Sequence, residues 1–481
     1  MRSFRPQLTL AGRRSSSLGI ARNLRAALQR GQLQAGEYLP STRELARDFA
    51  VHRHTVLAAL NLLVSEGLLD AKPRRGFRVT EEARVALPPA RRPPSSWHGF
   101  RLVREVPQLV APPASSVPYP LHSATPDPAL APHVELKSAY AQVLRQKRHE
   151  LFELGDERGL PAFRDVLGAH LRQHRGLVAR DSMVTHGSQD GISLVARALL
   201  GPGDVVAVED PGYSPAWDAF RAVGARIVGV RVDEQGLDID AFARLLGRRR
   251  VRLLYTTPAH QFPTSVTLSA SRRRALLALT ARYGVPILED DYDHEYQYVG
   301  LPPPPLAAAA DAHHVIYVAT LSKLIGGGMR LGCVVAGSHL IDALIGLNRI
   351  GARGHDPISQ AALAAWMSDG GLERHLRRAR RAYGARREAL RNALAPGQAL
   401  GLVSVEPSTG GLGLWARWHG IDSLALAERS REAGVLVLPE SLLRLRPRVH
   451  DGTRIAFSRC PTERLSTAAS TLVRIAARLR R

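Results

Sequence analysis

Lysine is scarce in this chain. Of 66 strong bases only four are lysines, Lys72, Lys137, Lys147 and Lys323, and beyond residue 147 every strong base except Lys323 is arginine. Arginine carries charge but hardly ever deprotonates, so it cannot serve as a primary amine. Any chemistry that captures a carbonyl cofactor on an amine therefore falls on Lys323 in that part of the chain. Cysteine is scarcer still. Cys333 and Cys460 are the only two, too few for a disulfide framework or a cysteine metal cluster, and both are expected as buried inert thiols. Long apolar runs are missing as well. Nothing approaches a transmembrane helix, and the basic N-terminus has no apolar run long enough for a signal peptide. The expectation is a cytoplasmic protein in a reducing compartment, with no membrane partner and no metal.

Acids are outnumbered, 43 against 66 strong bases, for a formal charge of +23. That excess suggests an anionic partner, nucleic acid first, although arginine-biased codon usage would produce part of it. A length of 481 residues exceeds one ordinary core and predicts two or three domains.

Residues 1–80 form the first expected unit. Leu18, Ile20, Leu24 and Leu28 suggest a helix that Gly31 ends. Ser41, with Glu44 three residues later, marks the start of a second helix carrying Leu45, Ala46 and Phe49. After a break at 50–52, Arg53 opens a third helix running through Leu63. Two short helices joined by a tight turn make a helix-turn-helix. The stretch from Gly67 to Val79 then reads as a hairpin whose tip holds Lys72, Arg74 and Arg75, a wing suited to phosphates or a minor groove. An all-helical protein-docking module is the blander alternative. Arg43 at one helix start, Arg53 and Thr55 at the next, and the basic tip together favour double-stranded DNA.

This unit resembles the winged helix-turn-helix of the GntR group of bacterial regulators. The resemblance is carried by Gly31, Leu33, Gly36, Leu39-Pro40-Ser41-Thr42-Arg43, Leu45-Ala46, Val51, Arg53, Thr55-Val56, Leu62 and Glu66-Gly67. The chain departs from it at His52, where the group prefers serine, and at Gly76-Phe77, where glycine-threonine is commoner.

Residues 81–120 are Pro-rich and read as a semi-stiff linker. From 121 onward, apolar strands alternate with helices: strands near 181–185, 204–208, 226–230, 251–255, 285–288 and 315–319, and helices near 136–151, 159–175, 215–223 and 269–283. That order predicts an α/β domain with a mostly parallel sheet, whose sites gather beyond the strand ends. Three such ends carry chemistry. His186-Gly187-Ser188-Gln189 has the strand–glycine–helix form of a phosphate cup, or simply of a tight turn. Glu289 to Glu295 is rich in acids, which suits a divalent metal or, with Lys323 present, a carboxylate beside a pyridine nitrogen and a tyrosine beside a phenolate. Ser322-Lys323 is followed seven residues on by Arg330, with the reach to hold an anion near the amine.

The region from 121 to 481 resembles the fold-type I aminotransferases, which use pyridoxal 5′-phosphate. The resemblance implies Lys323 as the Schiff-base lysine beside Ser322, Arg330 on the cofactor phosphate, Asp290 on the pyridine nitrogen and Tyr292 near the phenolate. It places Ser188 and Gln189 in the phosphate cup, Tyr213 over the cofactor ring, His260 in the loop that supplies a polar partner to the phenolate, and Arg454 on a substrate carboxylate. Lys323, Asp290 and Tyr292 would be the catalytic set. A small α+β subdomain is expected from about residue 370. The fusion looks like the MocR subfamily of GntR regulators, to which Glu289–Tyr296, His260–Pro263 and Arg374-His375-Leu376-Arg377-Arg378 are specific. The resemblance implies a DNA-binding transcription regulator, acting at promoter sites as a homodimer, domain-swapped or not. Its large domain would sense pyridoxal phosphate or a small amine or amino acid through aldimine chemistry. A working aminotransferase with an added DNA module is the competing reading. Three departures stand out: Leu154 where a tyrosine is usual, Gly326-Gly327-Gly328 where a proline is usual, and Pro215 where one relative has a second arginine.

Overall fold

Ser41 and Glu44 cap one another. The Ser41 hydroxyl accepts from the Glu44 amide at 3.3 Å and the Glu44 carboxylate accepts from the Ser41 amide at 2.8 Å, which satisfies two of the donors a helix start leaves free. In the computed structural model, which describes residues 16–29, 32–73, 75–81, 83, 117–146, 149–178, 181–446 and 450–480, the chain divides into two units, Met1–Val106 and Pro107–Arg481.

The first unit holds helices Ser17–Gln29, Thr42–Asp48 and Arg53–Ser65. The turn between the last two passes through Ala50 at φ 50°. An antiparallel hairpin follows, Leu69–Lys72 with Gly76–Val79, in the register Leu69↔Val79. Ile20, Leu24, Leu45, Phe49, Val56, Leu60, Leu63 and Val79 make one core. Leu18 stays outside it, 64% exposed. At 100° per residue it lies about 200° around the helix from Ile20, so the expected apolar row is Ile20, Leu24 and Leu28 without it. The expected stop at Gly31 and most of the 81–120 linker lie outside the described residues. The linker's expected last two residues, Tyr119–Pro120, instead pair in parallel with Val435–Leu436, an edge pairing that tolerates proline.

The second unit is built on an eight-stranded sheet. Its spatial order is Asp181–Thr185, Gly332–Ala336, Val315–Thr320, Ile287–Asp291, Val251–Thr256, Val205–Asp210, Arg226–Asp233 and Gly236–Leu237. The five strands from Val315–Thr320 to Arg226–Asp233 run parallel to one another, whereas Gly332–Ala336 and Gly236–Leu237 pair antiparallel at their two sides. One face buries Trp217, Phe220, Leu253, Leu288, Val318, Ile341 and Leu344. The other packs Phe163, Leu254, Ile287, Tyr317 and Ala319 into a core that continues toward the C-terminus. The helix expected over 136–151 ends earlier, as His133–Arg145 followed by a 3-10 turn at His149–Phe152.

The C-terminal part is α+β. A four-stranded antiparallel sheet, Val403–Val405, Gly413–Trp418, Gly452–Ala456 and Leu438–Pro439, accompanies helices Gly371–Ala399, Ser423–Glu432 and Thr462–Leu479. Pro396 lies in the last turn of the long first helix and cannot donate to the carbonyl four residues back. Among the described residues no helix is long and apolar enough to cross a membrane.

Candidate cofactor and DNA sites

Lys323 leaves the buried strand Val315–Thr320 on a backbone held from several sides. Tyr296 donates its hydroxyl to the Lys323 carbonyl at 3.1 Å, His375 Nε2 lies 2.8 Å from the Leu324 carbonyl, and the Ser322 amide donates to Thr320 Oγ1 at 3.1 Å. The Lys323 ammonium donates to the Ala124 carbonyl at 3.1 Å. Enclosure and then the Arg454 charge push its pKa down from 10.5 to about 8, against the pull of Asp293 and Asp290. The Ser322 hydroxyl is buried without a hydrogen-bond partner.

Asp290 is the penultimate residue of the neighbouring strand, Ile287–Asp291, and is 4% exposed. One carboxylate oxygen accepts from the Tyr255 hydroxyl at 2.8 Å, and the other, Oδ1, is buried with no partner. Burial pushes its pKa up to about 7, with the Tyr255 hydrogen bond opposing. The surrounding acids are otherwise engaged. Glu289 accepts from the Leu306 and Ala307 amides at 2.8 and 2.9 Å. Asp291 accepts from Tyr317 at 2.7 Å and pairs with His294 at 3.0 Å. Glu295 takes Arg175 at 2.6 Å and faces His170 at 3.1 Å. The run that invites a divalent metal in the sequence is thus shared out among protein partners.

The anion cup forms where Gly187, at φ 85°, opens helix Ser188–Leu199. Ser188 and Gln189 supply its first N–H groups, which no helix can satisfy internally. Arg330, itself left-handed at φ 49°, donates to the His186 carbonyl at 2.7 Å. Its guanidinium passes so close that a Cβ on Gly187 would lie 3.2 Å from Nη1. The Gln189 side chain points elsewhere, donating to the Pro215 carbonyl at 2.8 Å. Tyr213 packs edge-on to Phe262 at 5.3 Å. Burial and the Asp290 charge raise its pKa to about 12, with Arg330 opposing, so Tyr213 feels both the Asp290 and the Arg330 ends of the site. Arg454, 1% exposed, donates through Nη1 to the Pro263 carbonyl at 2.7 Å and lies over the Phe262 ring at 4.9 Å. Its Nη2 is buried without a partner.

Two expected residues are engaged elsewhere. The His260 ring lies 2.8 Å from Asp293 through Nδ1 and 3.0 Å from Gln297 through Nε2. With both nitrogens taken, the ring has none to offer a phenolate. Tyr292 donates its hydroxyl to the His260 carbonyl at 2.9 Å. A buried cluster that the sequence reading did not single out lies nearby. Glu209 accepts from Thr256 at 2.5 Å and Thr257 at 2.7 Å, and Gln261 bridges toward it at 3.3 Å. An acid directly before the Asp210-Pro211-Gly212-Tyr213 turn was its one sequence signal.

In the first unit Arg43 and Arg53 are exposed in the first turns of their helices and Thr55 is half-buried. Arg53 donates to Thr42 at 3.0 Å, which joins the two helix starts. His52 is the N-cap of Arg53–Ser65 but makes no side-chain capping bond. Lys72 and Arg75 are exposed at the hairpin tip, with Lys72 3.2 Å from Asp70. Arg74 lies outside the described residues.

An aminotransferase-like α/β domain behind a winged helix-turn-helix defines the class of protein. Residues 126–472 match the family model for aminotransferase class I and II, and residues 16–79 match that for bacterial regulatory proteins of the gntR family. The crystal structure of a kynurenine aminotransferase from Pyrococcus horikoshii superposes with a TM-score of 0.72 at 26% identity, covering 76% of this chain and 91% of that one. The probable rhizopine catabolism regulatory protein MocR of Rhizobium meliloti is 29% identical over 435 residues, 87% of this chain and 85% of the relative. The HTH-type transcriptional regulator TauR of Rhodobacter capsulatus is 32% identical over 427 residues, 85% of each. The chain belongs to the MocR-type GntR regulators, which join a GntR DNA-binding unit to an aminotransferase class I and II domain.

Proposed function

We propose that this protein is a cytoplasmic, pyridoxal phosphate-dependent transcription regulator that reads a small amine or amino acid in its large domain and promoter DNA with its winged helix. One observation carries the cofactor reading: buried polar atoms without partners, Asp290 Oδ1, Ser322 Oγ and Arg454 Nη2, accompany the Lys323 amine and the Arg330–helix anion cup in one domain. Buried polar groups rarely go unpaired, and this donor and acceptor set fits the cofactor. Bound there, pyridoxal phosphate supplies an aldehyde that condenses with amines and a ring that withdraws electrons.

The chain's own residues define the rest. Arg330 and the Ser188 and Gln189 amides bind the phosphate. Asp290 would accept the ring N–H through its free oxygen and so keep the ring nitrogen protonated. Tyr213 would cover the ring, and Tyr292 would stand near its phenolate. Lys323, with its pKa lowered, offers a neutral amine near neutral pH. Arg454 Nη2 receives the carboxylate of the effector. Arg43 meets DNA phosphate, Arg53 and Thr55 read the major groove, and Lys72, Arg74 and Arg75 add charge from the wing. A homodimer is supported by Phe152 and Leu154, 72% and 78% exposed beside the His149–Phe152 turn.

The test combines a footprint and in-vitro transcription on the DNA upstream of the protein's own gene, with and without pyridoxal phosphate and candidate amines. Lys323→Ala should keep basal DNA binding and lose both the borohydride-trappable adduct and the ligand response. Arg53→Ala should lose specific binding and keep the cofactor spectrum. Identical footprints and transcripts with and without ligand would defeat the sensor reading, and amino-group transfer at ordinary enzyme rates would favour the aminotransferase.

A further inference from the structure

Helix Pro161–Arg175 carries His170 and, in its last turn, His174. Four residues apart, they share one face. Glu373, in the first turn of helix Gly371–Ala399, meets them there. The two imidazoles lie 4.6 Å apart, ring centre to ring centre. Glu373 Oε1 is 3.8 Å from His170 Nδ1 and 3.9 Å from His174 Nε2. These distances are too long for hydrogen bonds, yet one donor atom from each residue lies within 4.8 Å of the other two.

His170 is 5% exposed. Its Nε2 faces the Glu295 carboxylate at 3.1 Å, whose same oxygen accepts from the Arg175 guanidinium at 2.6 Å. The proton of a neutral His170 therefore sits on Nε2, and Nδ1 presents its lone pair. That Nδ1 is buried without a hydrogen-bond partner, as is Glu373 Oε2. A histidine oriented through one nitrogen by a carboxylate, with the other nitrogen free, is the arrangement that metal-ligating histidines take.

We propose that His170, His174 and Glu373 form a binding site for zinc or a neighbouring late first-row divalent ion, ligated by His170 Nδ1, His174 Nε2 and a Glu373 oxygen. Two imidazoles and one carboxylate are the donor set of three-ligand zinc sites, which leave a fourth position to water. Calcium and magnesium prefer oxygen donors. Zinc bonds of about 2.0–2.1 Å set tetrahedral donors roughly 3.3 Å apart. Closing to that distance moves the exposed His174 and the half-buried Glu373 onto a His170 that stays fixed. The ion then ties the end of one helix to the start of the other. Binding only to the folded chain, it raises the stability of the second unit by mass action.

The site is tested on tag-free full-length protein, stripped with a chelator and titrated calorimetrically with Zn²⁺ at about pH 7.5, with Co²⁺ as the spectroscopic probe. The expected result is one site per chain, a tetrahedral cobalt spectrum, and a higher melting temperature with zinc. His174→Ala and Glu373→Gln alter an exposed and a half-buried side chain, so both should keep the native circular dichroism and cofactor spectrum. Each should weaken zinc binding by about 10–100-fold or more. His174→Cys should retain the metal and add a sulfur-to-cobalt charge-transfer band. Absence of saturable binding in the wild type would overturn the assignment, and so would a site that survives unchanged in His174→Ala and Glu373→Gln.

Discussion

An amine that titrates at about 8 differs from ordinary lysine most at neutral pH. At pH 7 a group with that pKa is ~9% neutral, whereas one at 10.5 is ~0.03% neutral, a ratio of roughly 300. Only the neutral amine attacks an aldehyde. Mixing apo protein with pyridoxal phosphate in a stopped-flow spectrometer should therefore show capture that climbs about five-fold from pH 7 to 8 and about two-fold more by pH 10. The cofactor phosphate ionises near 6 and stays constant across that window. Arg454 follows burial as a cause of the depressed pKa. Arg454→Met should raise the midpoint by on the order of one unit and slow capture at pH 7 about tenfold. The sign is fixed, because removing a neighbouring positive charge stabilises the ammonium. A wild-type rate still climbing steeply at pH 10 would show that Lys323 is an ordinary lysine. A midpoint in Arg454→Met that stays put or falls would show that Arg454 does not act on it.

Three further outcomes are expected. Ser41→Ala removes a two-way cap and should destabilise the first unit by ~1 kcal/mol in urea unfolding, and an unchanged midpoint would mean the cap is replaced by water. Arg175→Met strands the Glu295 carboxylate beside His170 and should cost about 3–5 kcal/mol of second-unit stability, a reading that a change below about 1 kcal/mol would refute. Lys72→Ala should lower the salt slope of DNA binding by about one. No change would mean that Lys72 stays paired with Asp70 rather than with phosphate.

The parallel sheet was legible because its strands are short apolar runs bounded by turn residues, and Lys323 because it stands alone among arginines. Gly187 and Arg330 announced a cup through residue type, but only the fold brings the two within van der Waals reach. His260 shows where motif reading stops. Its position in a polar loop pointed to the cofactor, whereas its two nitrogens are committed to Asp293 and Gln297, residues 33 and 37 positions away. Arg175, His170 and Glu209 left little trace in the sequence, because a buried polar network is defined by partners distant along the chain. Leu18 failed for a simpler reason, since helical angle decides burial more finely than apolar spacing does.

The acids that follow strand Ile287–Asp291 behave as guy-lines of a mast. Each carboxylate is fastened to a different anchor: Glu289 to the 306–307 backbone, Asp291 to Tyr317, Asp293 to His260, Glu295 to Arg175 and His170. Asp290 is fastened through one oxygen to Tyr255 and keeps Oδ1 free, and the fastened neighbours hold the strand end that carries it. Drift in what such a regulator recognises can therefore begin at the anchors. A substitution at Tyr317 or Gln297, neither of which need touch a ligand, retunes where one oxygen points and leaves every ligand-facing residue in place.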